Sequence, residues 1–202
     1  MRIGIYGGTF DPIHLAHLVL ADQCRQQLQL DEVWFVPAAQ PPHKQGQRVT
    51  ATEHRLEMLR RALQDQPAFR LCTVELDREG VSYTVDTLSA LTQQFPEHTW
   101  WLLIGADSLR DFPTWHEPER ISTLARIGVV NRGGEPAPDL AAAQAAFGDR
   151  FSLAEMPSLA ISATDLRQRV AAGQSIRYLV PAAVEDYIRA HQLYATNDDD
   201  TE

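Results

Sequence analysis

The chain has 202 residues, 44% of them hydrophobic and 22% charged, the balance of an ordinary globular protein and not of a disordered one. That length supports one domain with a sizeable core and leaves little room for a second. The formal charge is −9, from 18 lysines and arginines against 27 aspartates and glutamates; an acidic surface argues against nucleic-acid or membrane binding, which needs basic surface, but permits a small phosphate pocket.

Residues 2–6 are short, apolar and followed by Gly7-Gly8, which reads as a buried strand ending in a tight turn. The same run is too short for a secretion signal, and no apolar stretch reaches the length of a membrane span, so a cytoplasmic address is expected. Residues 15–28 carry Leu15, Leu18, Val19, Ala21 and Leu28 at helical spacing. Val33-Trp34-Phe35-Val36 reads as a second strand, stopped by Pro37, and residues 38–50 as a loop long enough to have a function. Thr52 opens a helix, with Arg55 in its first turn and a stripe of Leu56, Leu59, Arg60 and Leu63. Residues 69–76 read as a strand and 83–95 as a helix with Val85, Leu88 and Leu91 on one face. Residues 99–104 form a buried aromatic strand ended by Gly105. A short helix at 117–124, a strand at 126–130, a loop at 133–139, an alanine-rich helix at 140–147 and a strand at 151–156 follow. The last elements are a helix at 162–172 stopped by Gly173 and one opened by Pro181 that runs to about His191. Residues 1–194 are expected to form a single domain and 195–202 an acidic, disordered tail.

Strands that alternate with helices imply an α/β fold, a doubly wound, Rossmann-like parallel sheet with helices on both faces and a C-terminal helical portion. Ligands bind such sheets at the carboxyl ends of the strands, where the strand order reverses. Cys24 and Cys72 belong to no paired or metal-binding pattern and read as buried reduced thiols.

The chemistry gathers at the first strand end, Gly7-Gly8-Thr9-Phe10-Asp11-Pro12-Ile13-His14-Leu15-Ala16-His17. The glycines allow close backbone approach, and the next helix points its positive end at the same spot. His14 and His17, three residues apart, share one face and can donate to phosphate oxygens. The spacing matches neither the dinucleotide fingerprint nor the P-loop, and a zinc site would lack further ligands. Far along the chain, Ile161-Ser162-Ala163-Thr164-Asp165-Leu166-Arg167 offers a helix start with an N-cap serine, hydroxyls and an arginine one turn on.

The two segments together resemble the HIGH-type nucleotidyltransferase superfamily, with its Gly-x-Phe-x-Pro-x-His-x-x-His and Ile-Ser-Ser-Thr-x-x-Arg signatures. Pro41-Pro42-His43-Lys44, Ser82-Tyr83-Thr84-Val85-Asp86-Thr87-Leu88, Gly105-Ala106-Asp107-Ser108 and Trp115 extend the resemblance to the bacterial nicotinate-mononucleotide adenylyltransferases, from residue 3 to about 190. The resemblance implies transfer of AMP from ATP to nicotinate mononucleotide, giving deamido-NAD and pyrophosphate as a step of NAD biosynthesis, with Mg²⁺ carried by ATP. It implies that His14, His17, Lys44 and Arg167 serve catalysis. It also implies an ATP site of Gly7, Gly8, Thr9, Phe10, Gly105, Asp107, Ile161, Ser162 and Thr164 with His14, His17 and Arg167. Thr9, Lys44, Tyr83, Thr84 and Trp115 would then hold nicotinate mononucleotide, and no protein side chain would bind metal. Ala163 departs from the signature, which has serine there. A monomer or homodimer is expected. Transfer to another phosphate acceptor, or a non-catalytic nucleotide sensor on the same fold, are the competing readings; the segment around Thr84 and Trp115 and the intact histidines speak against them.

Overall fold

In a strand buried on both faces, successive side chains enter different layers. β2 (Glu32–Pro37) obeys this: Val33 and Phe35 enter one apolar layer, Trp34 and Val36 the other. β4 (Thr99–Gly105) does the same, with Trp101 and Leu103 facing the first layer and Trp100, Leu102 and Ile104 the second. In the computed structural model, which describes residues 1–39, 49–78, 82–134 and 136–195, these strands belong to one six-stranded sheet. With β1 (Arg2–Gly8), β3 (Phe69–Leu71), β5 (Arg126–Arg132) and β6 (Phe151–Met156), the order is β3-β2-β1-β4-β5-β6, and all pairs are parallel. The expected doubly wound parallel architecture is therefore present.

α1 (Leu15–Gln27), α2 (Thr52–Leu63), α7 (Ala163–Ala171) and α8 (Ala182–Ala190) bury their apolar sides in the first layer. α3 (Thr84–Gln94), α4 (Ala106–Asp111) and α5 (Pro118–Leu124) bury theirs in the second, where α6 (Leu140–Phe147) also packs. The chain after α1 lies close to the sheet because two strand positions lack side chains. A methyl group at Gly4 would sit 2.8 Å from Leu30 Cδ1, and one at Gly128 would sit 2.6 Å from Leu28 Cδ1 and 2.9 Å from Leu103 Cδ2.

The strand order reverses between β1 and β4. Their pairing stops at Ile5 opposite Leu102, whereas β1 stays paired with β2 to Gly8 and β4 with β5 to Gly105. Beyond that point β1 feeds α1 in the first layer and β4 feeds α4 in the second, so the two strand ends part and leave a crevice.

Three expectations need correction. The strand expected at 69–76 ends at Leu71; the chain then turns, with Leu76 N–H donating to the Thr73 carbonyl, and buries Glu75 beneath the start of α3. The buried stripe of α2 runs through Arg55, Met58, Leu59 and Leu63, while Arg60 is exposed. Cys72 is half-buried, not buried; Cys24 is fully buried, and burial pushes its thiol up to about 12. The middle of the expected loop at 38–50 and all but one residue of the expected tail at 195–202 lie outside the described residues. Among the described residues, no helix is long and apolar enough to cross a membrane.

Gly128→Ala must push two buried leucines aside, so it is expected to cost about 1–3 kcal/mol of stability, read as a lower urea midpoint at unchanged slope.

Candidate active site

The crevice is bounded first by the turn after β1. A side chain at Gly7 would point into open space, and so would one at Gly105 at the end of β4. Gly8 differs, since a methyl group there would lie 2.9 Å from the Phe10 ring. Phe10 adopts φ = 50° and is 2% exposed, with its ring packed against Tyr6, His17 and Phe35. Its ring belongs to the core, and only its backbone is available to a ligand.

His14 occupies the N-cap of α1, and its backbone N–H donates to His17 Nδ1 at 3.3 Å. A ring nitrogen that accepts cannot carry the proton, so neutral His17 bears its hydrogen on Nε2. The two imidazoles stack with centroids 3.6 Å apart and planes 22° from parallel. Burial, then the positive charge of Arg132, pulls His14 down to about 4; burial, His14 and Arg132 hold His17 well below the ordinary 6.5. In the ligand-free protein at neutral pH both are uncharged hydrogen-bond donors.

The distant Ser162–Arg167 segment meets this turn directly. Arg167, one turn into α7, donates from Nη1 to the Asp11 carbonyl at 2.7 Å and from Nη2 to Thr164 Oγ1 at 3.4 Å. Ser162 caps α7 by accepting the Asp165 N–H at 3.1 Å. Ala163 is the first helical residue and Ile161 packs on the first layer.

Three of the residues expected to read the second substrate, Tyr83, Thr84 and Trp115, lie near one another, while Thr9 lies in the turn after β1, its carbonyl held by Arg55. Tyr83 is the N-cap of α3 and Thr84 its first residue. The exposed Tyr83 ring lies 4.5 Å from that of His116, beside Trp115, which rests on Phe112 at 5.5 Å. Beneath them Arg78 donates to Thr87 Oγ1, which donates to the buried Glu75 carboxylate, each at 2.7 Å. Gly105 caps α4, and Asp107 pairs with Arg110 at the rim of a cleft of about 660 Å³ lined also by Leu109, Phe112 and Phe147. Lys44 lies outside the described residues. Among those described, no three His, Cys, Asp or Glu side chains converge as a metal cage.

Three contributors were not read from the sequence. Arg55, 1% exposed, donates to the carbonyls of Thr9, Ala38 and Thr50, binding the loops after β1 and β2 behind the turn. Its signal was its spacing with Met58, Leu59 and Leu63, which puts it on the buried face. Arg132 ends β5 exposed to solvent, close enough for its charge to lower both histidines, and has no ion-pair partner among the described residues. A lone arginine before two glycines gave no signal. The third is Asp11, whose carboxylate is 4% exposed and fully engaged.

With this geometry in place, the comparisons with known proteins are specific. The cytidylyltransferase-like family matches residues 5–169. A protein of Thermomicrobium roseum named "Probable nicotinate-nucleotide adenylyltransferase" is 48% identical over 96% of this chain and 92% of its own. One of the same name from Roseiflexus sp. is 50% identical over 95% and 97%. Among solved structures, the Plasmodium falciparum nicotinic acid mononucleotide adenylyltransferase complexed with NaAD superposes with a TM-score of 0.79 over 96% of this chain and 97% of that one, at 23% identity, which speaks for the shared fold. The chain belongs to the cytidylyltransferase-like family and, within it, to the nicotinate-nucleotide adenylyltransferases, a group of nucleotidyltransferases.

Proposed function

We propose that this protein transfers the AMP moiety of ATP to nicotinate mononucleotide, forming nicotinate adenine dinucleotide and pyrophosphate in a cytoplasmic route to NAD. One observation carries the reading: the stacked His14–His17 pair and Arg167 meet at a single turn beside two open glycine positions, although Arg167 and Asp11 are 156 residues apart. The relatives at 43–50% identity supply the substrate class.

In this mechanism the 5′-phosphate oxygen of the mononucleotide forms a bond to the α-phosphorus of ATP as the bond from that phosphorus to the bridging oxygen breaks. Pyrophosphate leaves with the electron pair, and no protein nucleophile is needed. Catalysis is positioning and charge stabilisation. His17 donates its Nε2 hydrogen to the reacting phosphate, and His14 stacks behind it and donates alongside. Arg167, with the hydroxyls of Ser162 and Thr164, holds the β- and γ-phosphates; Lys44 adds charge near the reacting centre. Gly7, Gly8, Thr9 and Phe10 offer backbone to the nucleotide, and Gly105, Asp107 and Ile161 line its far side. Tyr83, Thr84 and Trp115 enclose the pyridine ring, with the free N–H groups at the start of α3 facing its carboxylate. Mg²⁺, brought in with ATP, would offset the negative charge of the departing pyrophosphate.

Mixing ATP, Mg²⁺ and nicotinate mononucleotide with the protein is expected to release pyrophosphate, and His17→Ala is expected to lower turnover about 10²–10³-fold at an unchanged circular dichroism spectrum. Wild-type turnover in a folded His17→Ala protein refutes the role given to the pair. A triphosphate placed against the histidines offsets their burial and raises both pKa values from their lowered position. Calorimetry near pH 6 in buffers of different ionisation enthalpy is therefore expected to show more proton uptake on ATP binding by the wild type than by His17→Gln.

A further inference from the structure

Asp11 lies between the glycine turn and the first histidine, and its charge is almost entirely hidden from water at 4% exposure. A buried carboxylate must be matched oxygen by oxygen. Oδ2 accepts the Thr50 N–H at 3.1 Å, and Oδ1 accepts the Tyr194 hydroxyl at 2.6 Å across 183 residues. Arg55 supplies compensating charge nearby. The backbone carbonyl of Asp11 accepts from Arg167 Nη1. The position of the Asp11 carboxylate therefore fixes where that carbonyl points, and the carbonyl holds the guanidinium.

Tyr194 reaches Asp11 at some conformational expense. The segment after α8 takes left-handed backbone at two non-glycine residues, Gln192 at φ = 50° and Tyr194 at φ = 64°. Residues are kept in such conformations where surrounding contacts over-determine them. The contacts here are the Asp11 carboxylate, the Thr50 side chain, and Met58 Sδ at 4.0 Å. Burial and the neighbouring Asp11 hold the phenol above its ordinary pKa, so it remains a donor.

We infer that Tyr194 is a positioning residue for the phosphate site: its hydroxyl, donated to Asp11, fixes the turn after β1 and thereby aims Arg167. The inference rests on the proposed adenylyl transfer and extends it to a segment that touches no substrate. Without the hydroxyl, Oδ1 loses its donor, the turn relaxes toward water, and Arg167 loses a fixed acceptor. The chain of contacts predicts a loss on the ATP side only.

The test is Tyr194→Phe, which keeps the ring packing. It is expected to lower kcat about 10–100-fold, to leave the KM for nicotinate mononucleotide unchanged, and to lower the thermal midpoint by no more than a few degrees, the cost of the donor that Oδ1 loses. Combined with Arg167→Lys, it is expected to add little to the loss from Arg167→Lys alone, since both act through one contact. Wild-type kinetics in Tyr194→Phe overturn the inference. So do full additivity in the double variant, or a loss shared by both substrates that follows the thermal midpoint. If the wild type itself releases no pyrophosphate, the assigned reaction is at fault, and the coupling is read from ATP affinity by calorimetry. A weakened affinity in Tyr194→Phe then supports the inference, and an unchanged one overturns it.

Discussion

A glycine-rich turn that leaves its regular ladder strands some of its carbonyls. Those carbonyls still need donors where water is excluded. Gly8 receives the Ala38 N–H, and for the carbonyls of Thr9 and Asp11 the donors are guanidinium groups. Arg55 collects the carbonyls of Thr9, Ala38 and Thr50, and Arg167 takes that of Asp11. Arginine suits the task, because its planar fork offers five donors and stays charged when buried. The glycine positions, the histidine stack and the crevice mouth all lean on this backing.

The site is electrostatically restrained. Two stacked imidazoles that were both charged would repel at 3.6 Å, and burial already disfavours the first proton. Positive charge comes instead from arginines at the periphery, Arg132 from β5 and Arg167 from α7. An acidic protein thus keeps a local basic rim around neutral donors. That arrangement suits the polyanion proposed to bind there.

Much of this was legible in the sequence because apolar runs report burial directly. Val33 to Val36 and Trp100 to Ile104 are unbroken apolar runs, as strands covered on both faces are, and the strand–helix rhythm specified the parallel sheet. The histidine pair and the Ser162–Arg167 segment were visible as helix starts with free N–H groups. What escaped were polar residues whose partners lie far away in sequence. Arg55 looks like any surface helix arginine until its register on α2 is fixed. Glu75 sits in an apolar stretch that reads as strand, and only its bond to Thr87 explains why the chain turns there. Tyr194 marked no more than the edge of a polar tail, since nothing in its neighbourhood points to a carboxylate 183 residues earlier. The β4-to-α4 junction was read chiefly as a strand end at Gly105, because a helix of six residues leaves little pattern.

The bond between Tyr194 and Asp11 also bears on how the protein comes into being. Glycines and histidines of the first turn leave the ribosome early, yet their carbonyl and carboxylate anchors, Arg167 and Tyr194, are synthesised 156 and 183 residues later. Contacts of such separation form late, after loop closure has been paid across most of the sheet. The turn after β1 therefore gains both anchors only when almost the whole chain has been made.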